Sequence, residues 1–468
     1  WYYMNALDYF GGVPLYTSNQ TELKARATDV ETFEFIEKLL KDDLNILPKR
    51  ALGDRQDQIV TQGVAASLLM RLYFNAESYI KKNMYAETAK ICEDIINGVY
   101  GNYAIASSYQ KIWGWDNEAS DELIWAVASD PSYRGFEAGN RNYSTHYGTW
   151  AYLDNPEALS WNGICLIPSL DIEGKSYVYG AANPSNKFGG PFKLGSPYSK
   201  FEPTDLRKKN YVYGIQDGVT GSKKYEGMFL AGKLINPFTG AACLADGSRE
   251  YLKGDTVSMP DQIGQLGPDI PKYLKSKKEP EKDSVGADGL RIYILDANGD
   301  IVIDKPRYPE GRKEGAMFAE ENSGIRLLKY SPTPNSKDGA IWKTTDVPVI
   351  RYTEIKYTLA ECKWRAGDAA GAATIINEVR ARYFTGADTN PVTAANLDEY
   401  RLLDEWMIEF LGEGRRRTDL IRFGKFTTEA WWDHPADGPG KEYLCRFPIP
   451  EGAFSANPNL VQNPGYTR

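Results

Sequence analysis

The chain has 468 residues, a formal net charge of -8, 42% hydrophobic and 25% charged residues, the balance of a globular protein with room for a large core. The acidic balance argues against a nucleic-acid partner, which wants a basic face, and against adhesion to an anionic membrane surface. No apolar run approaches the ~20 residues of a membrane-spanning helix.

The first segment, Trp1 to Phe10, reads as the end of a helix, stopped by Gly11-Gly12-Val13-Pro14. Because the sequence opens inside this helical pattern, its N-terminus is expected to be missing. A short polar loop with Tyr16, Ser18 and Asn19 follows. Thr28 or Asp29 then caps a helix running to about Leu47, with Val30, Phe33, Ile36, Leu40, Leu44 and Leu47 as its apolar stripe.

Thr61 to Gly98 reads as a helical hairpin with its turn at Lys81 to Asn83, and Arg351 to Phe384 as a second, turning at Arg365 to Asp368. Small residues at the contact faces and a unit of ~34 residues predict tetratricopeptide-like repeats. Neither hairpin can bury its stripe alone, so the two are expected to stack together. Trp113, Trp115 and Trp125 look like a packing knot after the first hairpin.

Between the hairpins the composition changes. Residues 131–348 hold 26 of the 43 glycines and 17 of the 26 prolines, which predicts a loop-rich insert of turns and short strands. Arg291 to Leu295 and Ile301 to Ile303 read as paired strands around Asn298-Gly299. The run Asp296 to Asp300 offers oxygen ligands but lacks a full calcium loop, so a hairpin turn is the reading preferred. The expected organisation is one unit, 1–468, with an N-terminal helical part (1–130), the insert (131–348) and a C-terminal helical part with a closing loop (349–468).

The clearest C-terminal feature is Leu402 to Phe423. Leu403, Trp406, Met407, Phe410 and Leu411 share a helical face, and Gly412 and Gly414 interrupt it. Glu405, Glu409 and Glu413 are four apart, and Arg415, Arg416 and Arg417 are expected to fold back on them. Paired carboxylates could suggest a glycosidase, but such an enzyme needs them on opposite sides of a sugar and one pKa raised, where nearby arginines lower both.

Cys92, Cys165, Cys243, Cys362 and Cys445 are dispersed without a CxxC pair, and a histidine-based metal site would need His146 and His434 to converge. No metal or cofactor is expected, and no nucleophile elbow, phosphate loop or dinucleotide fingerprint is present. Tyr133 to Trp161 differs from the remaining aromatics because its rings sit among Gly, Asn and Ser. Exposed rings stack on sugar faces while amides and carboxylates bond the hydroxyls; the alternative is that the rings staple a long loop to the scaffold. The candidate ligand-binding residues are Tyr147, Trp150, Tyr152, Asp154, Trp161 and Asn162, with Tyr16 and Asn19 as a further loop contribution.

The stretch EFLGEGRRRTDLIRFGKF and the close FPIPEGAFSANPNLVQNPGY resemble the C-terminal signature of the SusD/RagB family, and FGGVPLY, GICLIPSLDI, EPTDLRKKNYVY and SGIRLLKYSP resemble further family segments. Trp406 departs from the pattern, standing where arginine is expected. The resemblance implies a mainly α, tetratricopeptide-like scaffold with the insert on it. It further implies non-catalytic capture of an oligosaccharide or polysaccharide at the outer membrane. The anchor would be a lipid on the missing N-terminus, and the partner a SusC-like TonB-dependent transporter. Peptide capture in the RagB manner and a glycoside hydrolase are the alternatives.

Overall fold

The computed structural model describes residues 1–19, 21–55, 59–114, 116–129, 194, 197–210, 212–216, 223–230, 232–233, 240, 258–259, 294–295, 301–302, 326–330, 345–429 and 436–467. Helix α1 spans Tyr2–Phe10 and ends at Gly11, whose φ of 76° suits glycine. The following Gly12 is required by a close approach, because a Cβ there would stand 1.9 Å from the Ala27 carbonyl oxygen. Helix α2, Asp29–Leu44, begins with a reciprocal capping box between Thr28 and Glu31. Phe33 and Ile36 are buried as the stripe predicts, but Val30 is 45% exposed, because at 3.6 residues per turn it falls at the edge of the stripe centred on Phe33, Ile36 and Leu40.

The two hairpins are present. The first is α3, Gln62–Phe74, continued by α4, Ala76–Ile80, then α5, Tyr85–Ile96. Lys81 makes the turn in the left-handed region, φ 58°. A short α6, Gln110–Trp113, precedes strand β1, Leu123–Val127. Within the insert lie α7, Pro197–Lys200, and strand pairs that are short and antiparallel: β2 (Val212–Gln216) with β3 (Lys223–Glu226), and β5 (Gly232–Lys233) with β6 (Ser258–Met259). The expected hairpin is the pair β7 (Ile294–Leu295) and β8 (Ile301–Val302), with Leu295 opposite Ile301. Strand β4, Phe229–Leu230, pairs with β9, Arg326–Leu327.

Strand β10, Val347–Arg351, returns beside β1 and leads into the second hairpin, α8 (Tyr352–Arg365) and α9 (Ala369–Arg380). Helices α10 (Glu399–Glu409) and α11 (Arg416–Arg422) form the glycine-broken corner, and α12, Glu451–Ala456, lies in the closing loop. The hairpins stack: Cys92 and Ile95 of α5 share one core cluster with Ile355 and Leu359 of α8. A second cluster joins all parts of the chain, packing Phe74, Trp113, Phe201, Phe229, Tyr357 and Trp406 together. Burying each such large side chain stabilises by roughly 1.5–3 kcal/mol.

The tryptophan knot divides rather than gathers. Trp113 packs edge-on against Tyr330 in the larger cluster, whereas Trp125 lies under Trp1 against the other cluster. Trp113 closes helix α6 whereas Trp125 stands on strand β1, so different elements carry them to different clusters; Trp115 lies outside the described residues. The closing loop ties back to the start of the chain. Phe447 N–H donates to the Tyr9 carbonyl at 2.7 Å, and Asn457 Nδ2 donates to the Lys24 carbonyl at 2.9 Å.

Candidate functional site

Of the predicted site residues, Tyr147, Trp150, Tyr152, Asp154, Trp161 and Asn162 lie outside the described residues, as do His146, His434 and the turn 296–300. Tyr16 is half-buried. Its backbone N–H donates to Tyr3 Oη at 2.9 Å, and its own hydroxyl donates to the Glu22 carbonyl and accepts from Lys24 N–H at 2.9 Å. Lys24 Nζ covers one ring face, 5.2 Å from the centroid. Asn19 is exposed on the same loop.

The described residues nearest to the aromatic-rich stretch in sequence are Ser129, four positions before Tyr133, and Leu194, 33 positions after Trp161. On the N-terminal side, β1 is paired to β10, and Ser129 N–H donates to Asp346 Oδ1 at 3.0 Å. Asp346 is itself held by Asn117, which accepts its N–H and donates to its carbonyl, both at 2.9 Å. On the C-terminal side, Leu194 packs against Leu403 and Leu420. Lys200 then forms a buried ion pair with Asp404 of α10.

A buried charge network joins β10 to α10 and to Glu122, just before β1. Arg351 Nη1 reaches Glu122 at 2.8 Å and Glu409 at 3.0 Å, and its Nη2 reaches Glu413 at 2.9 Å. Arg382 pairs with the same Glu122 and Glu409. From the insert, Arg207 Nη1 donates to Glu409 at 3.0 Å, and Lys329 pairs with Glu413 at 2.5 Å. Burial would raise the Glu409 carboxyl, but Arg382, Arg351 and Arg207 outweigh it and hold the group at about 2. Burial lowers Lys200 and Lys329 to about 8 each, against the opposing pull of Asp404 and Glu413.

The expected partners of this acid face are corrected. Arg415 pairs with Asp419 and Glu354, Arg417 with Asp8, and Arg416 donates to the Leu403 carbonyl. Gly412 and Gly414, φ 78° and 74°, turn the arginine run away from the acids that precede it. Glu405 instead takes Arg380 and Arg401. Trp406 closes the corner where an arginine was expected: it is fully buried, donates from Nε1 to Glu361 at 2.8 Å, and carries the Arg415 guanidinium 3.8 Å over its ring.

Chemically, this network is a support. Glu409, where three arginines converge, is driven away from the raised pKa of a general acid. Cys92 and Cys362 are buried thiols whose pKa burial pushes up, away from nucleophilic use. Sequence reasoning missed Lys200 and Arg207 as partners of α10, and Lys329 as the partner of Glu413 just beyond it, because isolated cations in a loop-rich insert carry no periodicity. The signal available for Arg207 and Lys329 was their position within the EPTDLRKKNYVY and SGIRLLKYSP segments; Lys200 lies two residues before the first of these. It also missed a cleft of about 520 Å³ lined by Trp1, Asp8, Tyr9, Arg71, Arg417 and Phe447.

A sequence profile of the SusD family matches residues 121–466. The starch-binding protein SusD of Bacteroides thetaiotaomicron is 36% identical over 482 aligned positions, spanning 100% of this chain and 70% of that protein. Among solved structures, a SusD superfamily protein of Bacteroides fragilis superposes with a TM-score of 0.56 at 18% identity, covering 100% of this chain and 77% of the other. Surface glycan-binding protein A of Bacteroides uniformis gives 0.52 at 17% identity, covering 99% and 76%. The structural likenesses speak for the fold, a helical scaffold of tetratricopeptide-like type. The family match, together with identity along the whole chain, places this protein in the SusD family.

Proposed function

We propose that this chain binds a nutrient glycan, an oligosaccharide or polysaccharide, without cleaving it, and delivers it to a SusC-like TonB-dependent transporter in the outer membrane. In the intact protein a lipid anchor would hold it at the cell surface. The observation that carries the reading is identity along the full chain to a relative named for starch binding. The aromatic and amide-rich stretch 133–161 supplies the chemistry such a ligand needs. Trp150 and Trp161 are the proposed stacking platforms. Tyr147, Tyr152, Asp154 and Asn162 would bond hydroxyls, and Tyr16 and Asn19 would lie at the rim. Each stacked ring contributes on the order of 1 kcal/mol, so affinity for one glycan chain is modest.

The test is calorimetric titration against a panel of plant, fungal and bacterial glycans and a peptide digest, with chromatography of each mixture afterwards. Binding of a glycan with the ligand recovered intact supports the reading. Binding of peptides alone would transfer the substrate class, and shortened glycan products would make the protein an enzyme.

A further inference from the structure

The cleft of about 520 Å³ beside α1 is lined by polar groups that the fold leaves unused. Asn5 and Tyr9 belong to one face of α1, Arg71 to α3, Arg417 to α11 and Phe447 to the closing loop. Arg71 donates from Nε and Nη2 to Glu354, at 2.7 and 2.6 Å. Arg417 donates from Nη1 to the Asp8 carboxylate at 2.6 Å and from Nη2 to the carbonyls of Asp8 and Cys445. Among the described residues, Arg71 Nη1, Arg417 Nε and the Asn5 side-chain amide have no hydrogen-bond partner, and none of these atoms is sealed from solvent. Two rings complete the lining. Tyr9 is 42% and Phe447 47% exposed, and they meet edge to face at 5.6 Å. The Arg417 guanidinium lies 5.5 and 5.1 Å from their centroids.

The acids of the cleft are already held. Asp8 has Arg417 and the Tyr79 hydroxyl, Glu354 has Arg71 and Arg415, and Glu413 has Arg351 and Lys329. An entering carboxylate therefore meets open guanidinium N–H groups and no unpaired acid, although the chain as a whole carries a net charge of -8. The volume suits a small ligand, and half-exposed rings suit the C–H face of a sugar. We propose that this cleft is a second ligand site, taking a sugar that bears a carboxylate. Arg71 and Arg417 meet the carboxylate, Asn5 bonds a ring hydroxyl, and Tyr9 and Phe447 flank the ring. The proposal goes beyond the glycan-capture reading and does not rest on residues 133–161.

The experiment is calorimetric titration with glucuronic and galacturonic acid disaccharides, with the matching neutral disaccharides, and with short peptides ending in a free carboxylate. At least one acidic sugar should bind at least tenfold tighter than its neutral counterpart, and its affinity should fall at least threefold between 20 and 500 mM salt, because the pairing guanidiniums are partly exposed. Asn5→Ala should weaken it about threefold and Phe447→Ala about fivefold; neither removes a side-chain hydrogen bond of the fold. Arg71→Lys keeps a cation for Glu354 but removes the open N–H, and should weaken it at least fivefold. No binding of any acidic sugar, equal binding of the neutral one, peptide binding in place of sugar binding, or full affinity in Phe447→Ala and Arg71→Lys would each overturn the proposal. If neutral glycans fail to bind anywhere on the protein, the capture reading fails, while the acidic-sugar titration still decides the cleft.

Discussion

Arg351, at the end of β10, holds Glu409, at the end of α10, with its Nη1 3.0 Å from Glu409 Oε1. Both side chains are 1% exposed. The pair joins β10, the strand paired to β1, to the C-terminal end of α10.

Removing one member of this network should be costly. Glu409→Gln leaves the charges of Arg351, Arg382 and Arg207 under-compensated in a buried site. The expected loss is about 3–5 kcal/mol, read by urea denaturation. Glu378→Gln, which breaks the solvent-facing pair with Lys356, should cost at most ~1 kcal/mol.

The same carboxylate sets an acid limit. Glu409 lies at about 2 in the folded chain against 4.5 for the free group, so the folded state binds fewer protons in that window. Its contribution is full above 4.5 and is lost as pH falls toward 2. Glu122, Glu354 and Glu361 are lowered as well, burial opposing and arginines prevailing. Thermal melts from pH 7 to pH 3 should show a falling midpoint, with a shallower slope in Glu409→Gln.

Helix positions were legible in the sequence where periodicity is local. The turn at Arg365 to Asp368 falls between α8 and α9 as spacing predicted. The ion-pair partners were not legible. Arg71 meets Glu354 across 283 positions and Arg351 meets Glu122 across 229, and no local pattern encodes such pairings. Arg415 to Arg417 were assigned to the preceding acids by proximity in sequence, and two left-handed glycines carry them elsewhere. For the site, the sequence singles out residues 133–161 by composition alone, and that stretch lies outside the described residues.

Trp406 should not tolerate the arginine of the family pattern. Trp406→Arg would bury another cation beside Arg415 and Arg422, whose guanidiniums already lie 3.8 and 5.7 Å from its ring. A loss above ~3 kcal/mol is expected. Trp406→Phe keeps most of the packing against Phe410 and Tyr357 and loses one hydrogen bond to Glu361, about 1 kcal/mol. Chemical denaturation of both variants orders the two effects.

Gly227 should resist substitution for reasons of backbone. Its φ is +74°, and a Cβ there would stand 2.3 Å from the Lys209 carbonyl oxygen. Gly227→Ala should therefore destabilise the insert by more than ~1 kcal/mol, read as faster amide exchange at Met228 and Phe229.

The most direct measurement is the dissociation constant of the best glycan ligand for the unmodified protein, Trp150→Ala and Trp161→Ala, by calorimetry under one set of conditions. The account predicts that at least one variant weakens binding about fivefold or more, equivalent to the loss of one stacked ring of ~1 kcal/mol, with no glycan product formed. Equal affinity in all three proteins would contradict it and move the site away from residues 133–161.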